Sequence, residues 1–160
     1  MKTIVITGAN KGVGLTLVKH FISDFKVVAL SKSYDNLINV KSDNLTFHCV
    51  DVSDLSRMKD VFKSITNIDY LINCAAVFES QTLLKQSFNK IEEIIDVNLK
   101  GTLFSTKLTL DKMKKGRIIN ISSVSGLHGI ENQSVYSSTK HSLNGLQESL
   151  NFELIKKGIQ

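Results

Sequence analysis

Thr3-Ile4-Val5-Ile6-Thr7-Gly8-Ala9-Asn10-Lys11-Gly12-Val13-Gly14 opens the chain and decides its fold. Its first five residues are a β-branched run, apolar except at the ends, which suits a strand buried on both faces of a parallel sheet. A helical pattern follows the glycines, with Leu15, Val18, Phe21 and Ile22 on one face. A strand, a glycine-rich turn and a helix in that order distinguish a dinucleotide loop from a chance cluster of glycines. Glycine permits the tight turn and close backbone approach, and the helix N-terminus offers free N–H groups and a positive dipole end to a pyrophosphate. The alternative is a glycine-rich turn that binds nothing.

The same alternation continues down the chain. Further strands are predicted at Lys26–Leu30, Leu45–Val50, Ile68–Asn73 and Arg117–Ser122. A helix capped by Ser53 or Asp54 runs to about Ser64, with Leu55, Met58, Val61, Phe62 and Ile65 as its apolar stripe. A long helical pattern covers Phe88–Lys114 and ends at Gly116, and a last helix runs from Ser134 to Lys157. Strands alternating with helices imply an α/β fold, a doubly wound parallel sheet of five strands. No linker, repeat or low-complexity segment interrupts residues 1–160, which form a single domain.

The 160 residues are 42% hydrophobic and 22% charged, the composition of a globular domain. No apolar run is long enough to span a bilayer, and the N-terminus reads as a strand rather than a signal peptide. Cys49 and Cys74 lie in separate apolar segments without metal-ligand spacing, so no metal site is expected and a cytoplasmic location is the default. Net charge is +5. Eighteen scattered lysines against only Arg57 and Arg117 describe a solvated surface, not a nucleic-acid stripe. The lack of proline has no functional explanation.

The end of the second strand bears on which dinucleotide is bound. An NAD site places an acidic residue there for the ribose hydroxyls. This chain instead reads Ala29-Leu30-Ser31-Lys32-Ser33, with no carboxylate before Asp35. Ser31 can hydrogen-bond a 2′-phosphate and Lys32 can neutralise it, joined by Lys11 from the glycine loop. NADP(H) is therefore favoured over NAD(H), although each lysine also fits an ordinary surface charge. Asp51 can accept from an adenine amino group, with the Val52 backbone beside it, or serve as a helix-start carboxylate beside Ser53 and Asp54.

Tyr136 and Lys140 stand four residues apart on one face of the last helix. An ammonium beside a phenol favours the phenolate, which makes such a pair a usable general acid/base at neutral pH. An amphipathic helix also shows this spacing by chance. What singles it out is its company: Ser122-Ser123 at a strand end, Asp96-Val97-Asn98, and Ile72-Asn73-Cys74-Ala75-Ala76.

Together with the glycine loop and Asp51, these segments resemble the short-chain dehydrogenase/reductase family from Lys2 to Gly158. The resemblance implies Asn98, Ser123, Tyr136 and Lys140 as the catalytic set, with Ser123 polarising a carbonyl, Tyr136 moving the proton, Lys140 holding the nicotinamide ribose and Asn98 holding a water. It implies cofactor contacts from Gly8, Asn10, Lys11, Gly12, Val13, Gly14, Asn73, Ala75, Tyr136 and Lys140, beside Ser31, Lys32, Asp51 and Val52. The family segment NNAG here reads NCAA. The implied activity is hydride transfer between NADP(H) and a carbonyl or secondary alcohol, by a homo-oligomer paired through helices 88–114 and 134–157. The family's sixth strand and substrate segment would follow Gln160. Strand five is therefore expected as a bare hydrophobic edge, and these 160 residues alone as a weak catalyst, or as a nucleotide-binding module without turnover.

Overall fold

A computed structural model describes residues 1–160. Five parallel strands, β1 (Thr3–Thr7), β2 (Lys26–Ser31), β3 (Leu45–Cys49), β4 (Tyr70–Asn73) and β5 (Arg117–Asn120), form one sheet in the order β3-β2-β1-β4-β5. The chain builds outward from β1 to β3, then crosses to the other side of β1 for β4. Ligand crevices of such sheets open at this switch point, beyond the carboxyl ends of the strands.

Successive side chains of a strand face opposite ways, and the core divides accordingly. Ile4 and Ile6 join Val27, Ala29 and Ile72 under α1 (Gly12–Phe21), packed by Val18. Val5, Val28, Leu71 and Ile118 face the other way. They are covered by Met58 and Phe62 of α2 (Leu55–Lys63) and by Leu150 and Leu154 of α5 (Ser134–Leu154). Asp54 caps α2, its carboxylate accepting from the Arg57 N–H at 3.0 Å.

The long predicted helix is broken. It consists of α3 (Phe88–Ile95), a π-helical turn over Asp96–Gly101, and α4 (Thr102–Leu110), and it ends well before Gly116. The Ser105 hydroxyl donates to the Gly101 carbonyl and the Thr102 hydroxyl to the Asn98 carbonyl. Hydroxyls that bond back to the preceding turn bend helices. The last helix likewise ends at Leu154 and finishes in a 3₁₀ turn, Ile155–Lys157.

The edge of β5 is not bare throughout. Gly116 bridges Ile159 in parallel, and the Ile118 N–H donates to the Gln160 carbonyl at 2.7 Å. Ile159 is buried by this pairing, whereas Ile119 remains 41% exposed.

Candidate active site

The glycine loop turns where β1 ends. Gly8 has φ +65°, and a Cβ on it would lie 2.7 Å from the Ala75 backbone, so the loop presses directly on the segment after β4. The Thr7 hydroxyl fastens that contact, accepting from the N–H groups of Cys74 at 3.1 Å and Ala75 at 3.2 Å. Gly12 has φ +52° and nothing within 4 Å of where its Cβ would be. Helix α1 starts there with no side-chain cap and no acidic residue in its first turn. Its first N–H groups are thus unspent beside open space, which fits a phosphate. Val13 is exposed, and Gly14 is buried against the Gly8 carbonyl.

Asn10 is buried and stays within the protein. Its amide donates to the Ser33 hydroxyl at 2.8 Å and accepts from the Asn36 N–H at 2.9 Å, stapling the glycine loop to the segment after β2. Ser31 ends β2 half-buried, and Lys11 is exposed. Lys32 forms an ion pair with Asp51 at 2.9 Å. The other Asp51 oxygen accepts from the Ser53 N–H and hydroxyl at 2.9 and 2.8 Å. Burial pushes the Asp51 pKa up, but the Ser53 bonds and Lys32 outweigh it and hold the carboxyl below its ordinary value. The Val52 side chain is buried in the core, which leaves only its backbone for a ligand.

Asn73 also turns inward. Its amide accepts from Ser105 at 2.7 Å and donates to Asn120 at 2.8 Å and Thr106 at 3.2 Å. It knits β4, β5 and α4 together and has no side-chain donor left for a bound molecule. Cys74, in the variant position of the NCAA segment, is a half-buried free thiol. Burial pushes its pKa up to about 11, against the opposing pull of Lys140.

Asn98 lies in the π turn and is 1% exposed. It accepts from the Val77 N–H at 2.7 Å and donates to the Val77 carbonyl at 2.9 Å and the Thr139 hydroxyl at 3.2 Å. It therefore clamps the segment after β4 to α5. π turns of this kind recur at functional sites. The clamp sets Phe78 edge-on to Tyr136, with ring centroids 4.9 Å apart.

Tyr136 and Lys140 share a face of α5. The Lys140 ammonium is 5.6 Å from the centre of the Tyr136 ring and donates to the Ile121 carbonyl at 2.8 Å. Lys140 is 4% exposed and has no carboxylate partner. Burial holds its pKa below the ordinary lysine value. The Ser123 oxygen accepts from the Ser125 N–H at 3.1 Å, which leaves its own hydrogen free to donate. His128 and His141 are exposed.

Thr7, Val77, Phe78, Ile121 and Thr139 also hold the site; Thr7 and Ile121 border motifs in the sequence, but none of the five was expected as a functional residue. Thr7 had a signal in its place before Gly8, and Thr139 in adjoining Lys140. Phe78 had none, because its position depends on the Asn98 clamp.

A five-stranded parallel sheet with a glycine turn at its switch point is an α/β fold of Rossmann type, and Ser123, Tyr136 and the buried Lys140 follow its strand β5. Residues 2–160 match the family described as short chain dehydrogenase. The chain belongs to that family. It is 32% identical to carbonyl reductase family member 4 of Xenopus tropicalis, over 99% of this chain and 72% of the relative. It superposes with a TM-score of 0.89 on 4-hydroxyisoleucine dehydrogenase complexed with NADH and succinate, at 30% identity over 98% of this chain and 75% of that one. ElxO with NADP bound gives a TM-score of 0.90 at 30% identity, over 99% and 70%. No helix is long and apolar enough to cross a membrane.

Proposed function

We propose that the chain binds NADP(H) along the carboxyl ends of β1, β2 and β4 and transfers a hydride between it and a carbonyl or secondary alcohol, with Tyr136 as the acid/base. The observation that carries this reading is Lys140. An ammonium has three donors; Lys140 spends one on Ile121, and the others are left for hydroxyls, those of Tyr136 and of a nicotinamide ribose. A buried charge without a carboxylate is costly to folding, and such groups concentrate at functional sites.

The phosphates would lie on the N-terminus of α1, over Gly12. Lys11, Ser31 and Lys32 would take the 2′-phosphate, and Asp51 the adenine amino group. Bound NADPH would supply the hydride that the carbonyl carbon receives. Ser123 donates a hydrogen bond to the carbonyl oxygen as charge develops there, and Tyr136 delivers the proton that completes the alcohol. Asn98 holds the Val77 backbone and, through its remaining lone pair, the water expected to resupply the proton. Leu103 on α4 and Phe152 on α5 are exposed, which supports a homo-oligomer packed through these helices.

The test is NADPH oxidation with a panel of ketones, alongside NADPH affinity. Tyr136→Phe should lower turnover by roughly 10²- to 10⁴-fold and leave affinity nearly unchanged. NADPH binding with no Tyr136-dependent turnover would instead favour a nucleotide-binding module.

A further inference from the structure

We propose that Asp51 weakens the NADPH preference of this site by competing with the ligand for Lys32. This rests on the nucleotide reading above and adds a residue that works against the phosphate. The Lys32 ammonium lies 2.9 Å from the Asp51 carboxylate, bridging the carboxyl ends of β2 and β3. The Asp51 carboxylate is pinned, and on Lys32 the backbone is held. Ser53 holds the second oxygen of Asp51 through its N–H and its hydroxyl. The Lys32 carbonyl accepts from the Cys49 thiol at 3.1 Å. The nearby Arg57 guanidinium donates to the Cys49 carbonyl at 3.0 Å and forms no ion pair with Asp51.

A 2′-phosphate that recruits Lys32 must draw the ammonium off a carboxylate already in contact with it. A 2′-hydroxyl makes no such demand. The pair therefore taxes NADPH and leaves NADH untouched, so the preference for NADPH is smaller than two convergent lysines would give alone. The tax is modest, because the Lys32 side chain is 61% exposed and solvated ion pairs are weak.

The test is the ratio of NADH to NADPH dissociation constants, measured on the full chain by fluorescence titration at one low salt concentration. Asp51→Asn keeps an acceptor for Ser53, removes the charge and should raise the ratio about two- to fivefold. Any lost adenine contact affects both nucleotides equally and cancels. Lys32→Gln should lower the ratio, and in the double variant the effect of Asp51→Asn should vanish. Asp51→Ser, should the first variant fold poorly, makes the same prediction. An unchanged or lowered ratio in Asp51→Asn, or the same rise in a Lys32→Gln background, overturns the competition while leaving nucleotide binding intact. If the wild type binds neither nucleotide, the reading it rests on falls as well.

Discussion

The chain before Asn73 and the chain from Asn73 to Lys140 bury different chemistry. Of the thirteen buried polar residues, only Thr7 and Asn10 lie in the first stretch, and both hold the glycine loop. The remaining eleven lie in the second. α4 turns Thr102, Ser105, Thr106 and Thr109 inward where an ordinary helix would place leucines. The nucleotide flank is thus held by dispersion and apolar burial, which scarcely depend on direction. The catalytic flank adds to its apolar core a set of buried hydrogen bonds, which do, although the Thr109 and Ser137 hydroxyls find no partner. Direction is what a site needs to fix a phenol, an ammonium and a hydroxyl against one carbonyl. Its cost is buried groups that lose heavily when a partner is removed.

The largest effect that could break this contrast is expected at Lys140. Lys140→Met should abolish measurable turnover yet raise thermal stability, since it removes a buried charge lacking a carboxylate. The sign with pH follows from its pKa. The folded value is lowered, so the unfolded chain binds the proton more tightly, and wild-type stability rises with pH from the folded pKa up to 10.5. The stability advantage of the variant should therefore shrink as pH rises through that window, as melting curves across it would show. A variant less stable than wild type at neutral pH contradicts this.

Next come paired substitutions, one in each flank. Ile6→Ala should cost about 2–5 kcal/mol of stability by denaturant titration, with kcat per folded molecule unchanged. Asn98→Leu strands the Val77 N–H and carbonyl, should cost about 2–3 kcal/mol, and should lower kcat as well because Phe78 and Tyr136 lose their spacing. Equal losses of kcat in both would erase the distinction. Within the glycine loop the contrast is finer. Gly8→Ala should destabilise by about 2–3 kcal/mol, because strain at positive φ is joined by a clash with Ala75. Gly12→Ala, at positive φ but with open space around it, should cost about 1–2 kcal/mol and show chiefly as weaker NADPH binding. The smallest effect concerns the thiols. Alkylation at pH 8 should modify the exposed Cys49 quickly and Cys74 slowly, as the latter's pKa of about 11 keeps it protonated; peptide mass spectrometry reads the order.

The five strands, the helices between them and the glycine loop were legible because they rest on local patterns: β-branched runs, apolar stripes at helical spacing and glycines between them. The π turn at Asp96–Gly101 was not, since the sequence there continues a helical pattern and only hydroxyls bonding back along the helix mark the break. Asn10 and Asn73 were expected beside the cofactor, the Asn73 segment also supporting the sheet; the sequence did not show the partners of their amides, Ser33, Asn36, Ser105, Thr106 and Asn120, which tertiary folding alone brings near. The edge of β5 was expected bare for want of a sixth strand, because the pairing of Gly158–Gln160 with that edge has no pattern in the sequence and arises only when the sheet assembles. The Lys32–Asp51 pair spans two loops and left no trace in spacing.

The proposed reaction passes a hydride from NADPH to a carbonyl carbon, with Tyr136 supplying the proton. The most direct measurement is isotope transfer. NADPH deuterated at the reactive nicotinamide position is incubated with wild type or Tyr136→Phe and a ketone, and the alcohol is read by mass spectrometry. Deuterium is expected on the carbinol carbon with wild type and at least about a hundredfold less with the variant. NADPH bound by both proteins with no deuterium in any alcohol, or equal transfer by both, would contradict it.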